Sequence, residues 1–340
     1  MHAIQLVEPR RFESIEIEPP GDPQPGEAIV ATRKMGVCGT DLGGYLGKMP
    51  FFSYPRIIGH ELGVEVIAVG EDVTKVAVGD RCCVRPYIVC GDCYACRRGA
   101  VNCCVKSQTL GVMCDGGLRE QFAIDAKLLH PSETMSFEQL ALVETLAIGH
   151  HAVDRADIYD GEHVLILGVG PIGLSAVEFA RLEGGQVTVV DLSAERLERT
   201  KAQYGLEHAL QPGEGLVDEL REITDGDLFP VVIDATGHAG SMAACPKYLA
   251  QTGTIVYVGI AGGEVPLVHS EFHKPEATIK ASRNARSRDF DRISILIEDG
   301  EIDTQPWITH RVDMAEMADA FDTFCDPASG VIKAMVHVSD

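Results

Sequence analysis

The sequence predicts an α/β protein with two domains, one a doubly wound parallel sheet and the other a β-rich domain that is partly barrel-like. The length of 340 residues exceeds the size at which a single core usually keeps growing. Before about residue 150, short β-branched runs alternate with Gly and Pro, whereas strands and helices alternate from His163 onward. We therefore expect a first domain over 1–150, a second over 151–283, and a return to the first domain over 284–340.

The two ends of the chain supply the elements of the first domain. β-branched runs over 28–31 and 63–69 predict strands. The tail predicts helices over 290–298 and 314–324 and a final strand over 332–338. We assign this mixed tail to the first domain.

The middle of the chain alternates compact apolar strands with helices, which is typical of a doubly wound parallel sheet. The predicted strands are 163–167, 186–191, 230–235, 254–258 and 278–281, and the predicted helices are 171–182, 194–204, 216–223 and 241–250. Pro171 in the first turn of one helix and Gly205 after the last turn of another agree with these limits.

Composition narrows the possible partners. The formal net charge of −22 disfavours nucleic acid and anionic membranes, so we expect a small-molecule ligand. No run of about 18 uncharged apolar residues occurs, and residues 1–10 lack the pattern of a signal peptide. We therefore expect a cytoplasmic location. The eleven cysteines are odd in number and partly clustered, which favours reduced, zinc-bound thiols over a disulfide framework.

Four cysteines form a knuckle with the pattern C-x2-C-x2-C-x7-C. They are Cys90, Cys93, Cys96 and Cys104. Four thiolates on one tight loop can close a tetrahedron around zinc and leave no open position, which predicts a structural site. Cys103 is the neighbour that the spacing excludes. The alternatives are a disulfide loop and an iron–sulfur cluster, although no other motif indicates an electron carrier.

A second set of metal-ligand residue types is spread around the knuckle. It consists of Cys38, His60, Glu61 and Glu144. One thiolate, one imidazole and one or two carboxylates suit zinc with a position left for water or a substrate oxygen. Their order along the chain, with the knuckle between them, predicts a catalytic zinc site.

A glycine turn follows the strand over 163–167 and opens the next helix, which is the context of a dinucleotide-binding G-x-G-x-x-G motif. Its residues are Gly168, Gly170, Pro171, Ile172 and Gly173. Asp191 ends the next strand, where a carboxylate accepts hydrogen bonds from the adenosine ribose and repels a 2′-phosphate. The motif therefore favours NAD. Asp191 as a helix N-cap is the alternative, and Arg196 nearby keeps NADP open.

These motifs together resemble the medium-chain zinc-dependent alcohol dehydrogenases, and within them the sorbitol dehydrogenase branch. The resemblance is carried over nearly the whole chain by Cys38-Gly39-Thr40-Asp41, Gly59-His60-Glu61, the knuckle, Glu144 and the glycine turn. It implies a Rossmann cofactor domain, a GroES-like catalytic domain, two zinc ions and hydride transfer from a secondary alcohol to NAD. It also implies that Cys38 and His60 bind the catalytic zinc, with Glu61 and Glu144 sharing the remaining coordination. A homodimer or homotetramer is expected on the same ground.

One position departs from the family pattern. By the resemblance, Thr40 supplies the hydroxyl that contacts the substrate oxygen and begins a proton relay. Many relatives carry a histidine five residues after the cysteine, where this chain has Gly43. Proton release must then use water, Tyr45 or another route. Alternatively, Thr40 satisfies a local turn and Tyr45 is pocket wall.

The segments 50–56, 271–274 and 282–285 resemble the bacterial L-galactonate 5-dehydrogenases. They bring cations into an acidic chain, and the guanidinium of Arg56 or Arg283 can hold a substrate carboxylate by two hydrogen bonds. We therefore expect an aldonic acid such as L-galactonate or L-gulonate as substrate, giving a keto acid. The alternatives are that Arg283 binds the NAD pyrophosphate and that Arg56 is a surface residue. Polyol and threonine dehydrogenases are competing enzymes, and an NAD-binding regulator is the non-enzyme alternative.

Overall fold

The computed structural model describes residues 1–340 and divides the chain into two compact units. Unit 1 comprises Met1–Thr145 and Arg286–Asp340, and unit 2 comprises Leu146–Ala285. None of the helices combines the length and the apolar character that a membrane span requires.

The first part of the chain forms ten strands and three helices, the third of which continues into unit 2. They are β1 (His2–Glu8), β2 (Arg11–Glu16), β3 (Glu27–Gly36), α1 (Gly39–Tyr45), β4 (Arg56–Ile57), β5 (Glu61–Val69), β6 (Arg81–Val84), β7 (Tyr87–Ile88), α2 (Tyr94–Arg97), β8 (Gln108–Thr109), β9 (Gln121–Asp125), β10 (Leu129–Ser132) and α3 (Phe137–Ala156).

Unit 2 then alternates strands and helices, and the chain returns to unit 1 with two helices and two strands. The elements of unit 2 are β11 (His163–Leu167), α4 (Pro171–Leu182), β12 (Gln186–Val190), α5 (Ala194–Tyr204), β13 (His208–Leu210), α6 (Leu216–Ile223), β14 (Phe229–Asp234), α7 (Ala239–Ala244), β15 (Leu249–Tyr257), α8 (His269–His273) and β16 (Thr278–Ala281). The returning elements are α9 (Ser287–Glu298), β17 (Ile308–Asp313), α10 (Met317–Cys325) and β18 (Lys333–His337).

Unit 1 is built on a seven-stranded sheet with the order β10-β6-β5-β3-β18-β17, in which β9 also pairs with β3. Alternating side chains explain its core: Phe122 and Ile124 of β9 are buried, whereas Ala123 and Asp125 between them are exposed. The central strand β3 pairs antiparallel with both β5 and β18. The chain's last strand therefore lies beside one of its first.

Unit 2 is a six-stranded parallel sheet with the order β13-β12-β11-β14-β15-β16. Strand β11 is buried along most of its length, as expected when helices cover both faces of a parallel sheet. Leu165, Val232 and Ile255, on three different strands, form part of its core at 0% exposure. The order reverses beside β11, and the structure confirms the predicted doubly wound α/β class.

One predicted element is wrong at its end. The helix expected over 241–250 stops at Ala244, and Leu249 already pairs with Phe229 of the neighbouring strand. Pro246 lies in the short 3-10 turn Cys245–Tyr248 that follows. Because proline has no N–H to donate, it ends the helix and lets the next strand begin early.

Candidate zinc and cofactor sites

The structure brings Cys38, His60 and Glu61 together, with one ligand atom of each within 4.8 Å of the others. Cys38 precedes α1, His60 directly precedes β5, and Glu61 is the first residue of that strand. Glu61 pairs across the sheet with Gly36. A Cβ atom at Gly36 would lie 2.2 Å from Oε2 of Glu61, so glycine at this position makes room for the carboxylate.

Asp41 lies next to Cys38 and His60 of this group. It is 0% exposed, and its Oδ2 accepts a hydrogen bond from the backbone N–H of Cys38 at 2.9 Å. Its Oδ1 faces Nδ1 of His60 at 3.8 Å. This distance is too long for a hydrogen bond, so Asp41 contributes a negative charge beside the imidazole.

Glu61 is held by a buried lysine that the sequence analysis did not single out. Lys333 Nζ lies 2.6 Å from Oε1 and 2.7 Å from Oε2 of Glu61, and it also donates to the carbonyl of Val37 at 3.2 Å. Both side chains are 1% exposed. Burial raises the pKa of Glu61, but the attraction of Lys333 and His60 and the hydrogen bonds from Lys333 and Thr145 together hold this pKa below its usual value. Glu61 is therefore an anion next to His60.

Glu144 lies on α3, beside this group but outside the set of three. Its carboxylate accepts a hydrogen bond from the hydroxyl of Tyr87, and burial raises its pKa. Sharing of the coordination between Glu61 and Glu144 remains a prediction.

The charge balance of the cluster suits a divalent cation. Three carboxylates, those of Asp41, Glu61 and Glu144, and the thiol of Cys38 surround His60, and Lys333 is the cation paired with Glu61. Burial alone would lower the pKa of His60, but Cys38, Asp41 and Glu144 raise it well above its usual value. Buried sites with an excess of anionic ligand groups are stabilised by a metal ion, and a thiol, an imidazole and a carboxylate are the ligand types of zinc. These residues fit zinc.

The knuckle cysteines also come together. Sγ of Cys93 lies 3.5 Å from Sγ of Cys96, and Sγ of Cys104 lies 3.5 Å from Sγ of Cys90. Zn–S bonds of about 2.3 Å in a tetrahedron place sulfurs about 3.8 Å apart, so the four thiols fit a closed zinc site. Backbone N–H groups of Cys96 and Val105 lower the pKa of Cys93 to about 6, which favours the thiolate. Cys103 is exposed and outside the group.

The glycine turn lies between β11 and α4, at the carboxyl end of the parallel strands. Gly168 has φ of +86°, and a Cβ atom at Gly173 would lie 1.8 Å from the carbonyl oxygen of Gly168. At Gly170 a Cβ atom would meet nothing within 4 Å, so the backbone is open to a ligand. The turn and the N-terminus of a twelve-residue helix fit a dinucleotide pyrophosphate.

Asp191 ties the glycine turn to the next strand. Its Oδ2 accepts from the backbone N–H of Val169 at 2.8 Å, and its Oδ1 accepts from the backbone N–H of Ser193 at 2.8 Å. Ser193, not Asp191, caps α5, since its hydroxyl accepts from the backbone N–H of Arg196 at 3.2 Å. The helix-cap alternative for Asp191 is thus wrong.

Tyr45 lies away from the cluster. It is 4% exposed, stacks on Phe12 with ring centroids 5.4 Å apart, and donates to Oδ1 of Asp322 at 3.1 Å. It belongs to the core of unit 1, and the proton route through Tyr45 is unsupported. Thr40 lies on α1, two residues after Cys38, and is half-buried.

The two candidate substrate arginines have different surroundings. Arg56 donates to Oδ1 of Asp115 at 3.0 Å and to Oγ of Ser53 at 2.7 Å, and its side chain is 14% exposed. Asp115 therefore already neutralises Arg56. Arg283 is exposed and follows β16 at the carboxyl edge of the parallel sheet, the edge that also carries the glycine turn.

Comparison with known proteins gives the family. The sequence-family model of the alcohol dehydrogenase GroES-like domain matches residues 24–134, and the sequence-family model of the zinc-binding dehydrogenases matches residues 171–299. An L-galactonate-5-dehydrogenase of Escherichia coli K12 is 38% identical over 307 residues, which cover 90% of this chain and 89% of that protein. The chain belongs to the zinc-binding alcohol dehydrogenases.

Other relatives agree. A D-altritol 5-dehydrogenase of Agrobacterium fabrum is 32% identical over 94% of this chain and 95% of its own length. The solved structure of a short chain alcohol dehydrogenase (rspB) from Escherichia coli CFT073, complexed with NADH, superposes with a TM-score of 0.92 at 29% identity and covers 99% of both chains. The predictions of family, GroES-like and Rossmann-type domains, enzymatic activity, and zinc with a nicotinamide cofactor are confirmed. The relatives from Escherichia coli K12 and Agrobacterium fabrum are named as dehydrogenases of L-galactonate and of D-altritol.

Sequence analysis missed three residues of the catalytic cluster's surroundings. Lys333 could have been noticed, because it is a cation between apolar residues in the predicted final strand. Asp41 lies in a motif that was noted, but its contact with His60 depends on the fold. No sequence pattern pointed to Tyr87, since a tyrosine before a loop is common on protein surfaces.

Proposed function

We propose that this dehydrogenase oxidises a secondary hydroxyl of an aldonic acid of the L-galactonate or L-gulonate type and gives a keto acid. The observation that carries the proposal is the 38% identity with the Escherichia coli L-galactonate-5-dehydrogenase over 90% of the chain. The placement of Arg283 supports it, because ligands of open parallel sheets bind beyond the carboxyl ends of the strands. An exposed guanidinium at that edge suits a carboxylate. We expect two or four copies of the chain to assemble.

In this proposal Cys38 and His60, with Glu61 or Glu144, hold the catalytic zinc, and the four knuckle cysteines hold the structural one. Zinc supplies a Lewis acid that makes an alcohol hydroxyl acidic enough to ionise near neutral pH. Asp41 places a negative charge beside His60, and Lys333 stabilises the ionised form of Glu61. The intact cluster favours an active enzyme over an NAD-binding regulator.

The chain's own residues also handle the proton. We assign Thr40 as the hydroxyl that takes up the substrate proton, because it lies on the first turn of α1 directly after Cys38. Residue 43 is glycine, and its nearest side chain is that of Met49, at 3.4 Å from an added Cβ atom. This turn of α1 therefore provides no imidazole, and the proton leaves Thr40 through water.

Asp191 is expected to select NAD over NADP through its charge. Asp191→Asn retains an oxygen that can accept a backbone N–H but removes the repulsion of a 2′-phosphate. The ratio of kcat/KM for NAD to that for NADP should fall by at least about tenfold, which is 1.4 kcal/mol. Asp191→Ala, which loses both backbone hydrogen bonds, should weaken both cofactors. A preference of the unmodified enzyme for NADP would contradict this role.

The substrate class is tested by comparing kcat/KM for L-galactonate or L-gulonate with kcat/KM for the corresponding neutral polyol. We expect the acid to be preferred by about tenfold or more, and Arg283→Ala to abolish the preference, because hydrogen bonds to a charged group contribute about 1.5–3 kcal/mol. Arg283→Lys is the matched control that keeps the charge but not the bidentate geometry. If Arg283→Ala raises only the KM for NAD, Arg283 binds cofactor and not substrate.

A polyol is the second candidate substrate. The ion pair between Arg56 and Asp115 removes one of the two proposed carboxylate partners, which favours a neutral substrate. The relationship to D-altritol 5-dehydrogenase points the same way. Equal kcat/KM for acid and polyol would select this alternative, and turnover of L-threonine in the same assay would select neither.

A further inference from the structure

The strand that leads into the zinc knuckle carries a tyrosine that reaches the catalytic cluster. Tyr87 begins β7, three residues before Cys90, and its hydroxyl donates to Oε1 of Glu144. Tyr87 is 1% exposed and Glu144 is 4% exposed. The hydrogen bond is therefore shielded from water, where a tyrosine–carboxylate bond is stronger than at the surface.

Tyr87 is held both at its ring and at its backbone. Phe290 of α9 packs against it edge-on, with ring centroids 6.5 Å apart and an interplanar angle of 77°. The guanidinium of Arg85 donates to the backbone carbonyl of Tyr87 at 3.3 Å. A buried ring between such neighbours has one position, so its hydroxyl has one direction.

The knuckle loop fixes the backbone of Tyr87. Tyr87 pairs with Thr109 across the two-stranded sheet β7–β8, and the backbone N–H of Leu110 donates to the carbonyl of Pro86 at 3.0 Å. All four knuckle cysteines lie between these paired strands. A metal that closes the knuckle thus also closes the loop whose base carries Tyr87.

Glu144 needs such a partner. It is 4% exposed, so its carboxylate is shielded from water and must find its hydrogen-bond donors within the protein. The cation Lys333 is already bound to both oxygens of Glu61. The hydroxyl of Tyr87 on β7 is a neutral hydrogen-bond donor to Glu144 on α3. Glu144 lies outside the group formed by Cys38, His60 and Glu61.

We propose that Tyr87 is a positioning residue that, held by the knuckle loop, keeps the Glu144 carboxylate turned away from the ligand group of Cys38, His60 and Glu61. The inference rests on the proposed function only for the ligand roles of that group. In this proposal the knuckle does more than stabilise the fold, because the loop that binds the structural metal also positions Glu144 beside the ligands of the catalytic metal.

The test is Tyr87→Phe, which removes only the hydroxyl, in protein loaded with both metals. Tyr45→Phe is the matched control, since Tyr45 is also a buried tyrosine that donates to a carboxylate in unit 1. The readouts are the zinc affinity of the catalytic site in competition with a chelator and the visible spectrum after Co²⁺ replaces that zinc. We expect Tyr87→Phe to raise the zinc affinity severalfold, because the freed Glu144 carboxylate can then bind the metal as an additional ligand, and to shift the cobalt bands. Tyr45→Phe should change neither.

A double-mutant cycle with Glu144→Gln separates positioning from a general loss of stability. If Tyr87 acts through Glu144, Tyr87→Phe should add little to the effect of Glu144→Gln on zinc affinity. The proposal is overturned if the two effects add, or if Tyr87→Phe behaves like Tyr45→Phe. These measurements need no substrate, so failure of the enzyme to oxidise aldonic acids would reject the proposed substrate and leave this inference standing.

Discussion

Cys38→Ser and His60→Ala are each expected to lower kcat/KM by at least about a thousandfold, because the Lewis acid contributes several kcal/mol to the transition state and each 1.4 kcal/mol is a factor of ten. Cys38, His60 and Glu61 are the group whose ligand atoms lie within 4.8 Å of one another, so loss of one member should empty the site. Metal analysis should find two zinc ions in the unmodified chain and about one in each variant, with NADH absorbance following turnover.

Cys93→Ser is the matched control, since it removes a thiol from the other group of four. A closed structural site contributes directly to folding stability, so this variant should lose thermal stability and soluble yield, while the folded fraction retains most of its turnover. Equal loss of thermal stability in Cys38→Ser, His60→Ala and Cys93→Ser would contradict the division into a catalytic and a structural site. A single zinc ion with full activity would contradict it as well.

Lys333→Met is expected to lower the free energy of unfolding of unit 1 by about 3–5 kcal/mol, because it leaves Glu61 buried without its cation. Lys333 and Glu61 are each 1% exposed, so water cannot replace the partner. The single tryptophan, Trp307, lies in unit 1 at 1% exposure, and its fluorescence during urea unfolding reports on this unit alone. Protein without the catalytic zinc should be used for the unmodified enzyme and for the variant, because zinc bound to Glu61 would replace the missing cation.

The control is Arg33→Met, which breaks the ion pair between Arg33 and Glu65 on the same sheet. This pair lies at 2.8 Å with its side chains 18% and 32% exposed, so its loss should cost less than about 1 kcal/mol. The pKa of Glu61 is below its unfolded value, so the pair's contribution is complete above the unfolded pKa and is lost as pH falls through the folded one. Equal losses of unfolding free energy in Lys333→Met and Arg33→Met would show that the buried pair contributes no more to stability than the partly exposed one.

Spacing along the chain predicted the parts of the sites that are local. The knuckle cysteines fall within a short loop, and the glycine turn joins a strand directly to a helix, so their geometry follows from a few neighbouring residues. Glu61 and His60 were predicted as adjacent residues of one motif. In these cases chemistry, turn geometry and position point to the same structure.

The contacts that could not be predicted join residues that are far apart in the sequence. Lys333 meets Glu61 across 272 positions of sequence, and Tyr87 meets Glu144 across 57. Asp191 was assigned to the ribose, yet its two carboxylate oxygens also hold the backbone of Val169 and Ser193. No periodicity in a single sequence encodes which distant side chain fills a buried position, because that choice is made by sheet register and packing.

The place of β18 in the sheet also has a consequence for synthesis on the ribosome. Strand β3 is made early, but its neighbour β18, which brings Lys333 to Glu61, is translated after the whole of unit 2. Unit 2 is one continuous stretch and can fold as it emerges. Until β18 is made, part of one edge of β3 stays unpaired, and an unpaired strand edge can pair wrongly with another chain. The nascent protein therefore passes through a stage in which its cofactor half is folded and its metal half is exposed to aggregation and to chaperones.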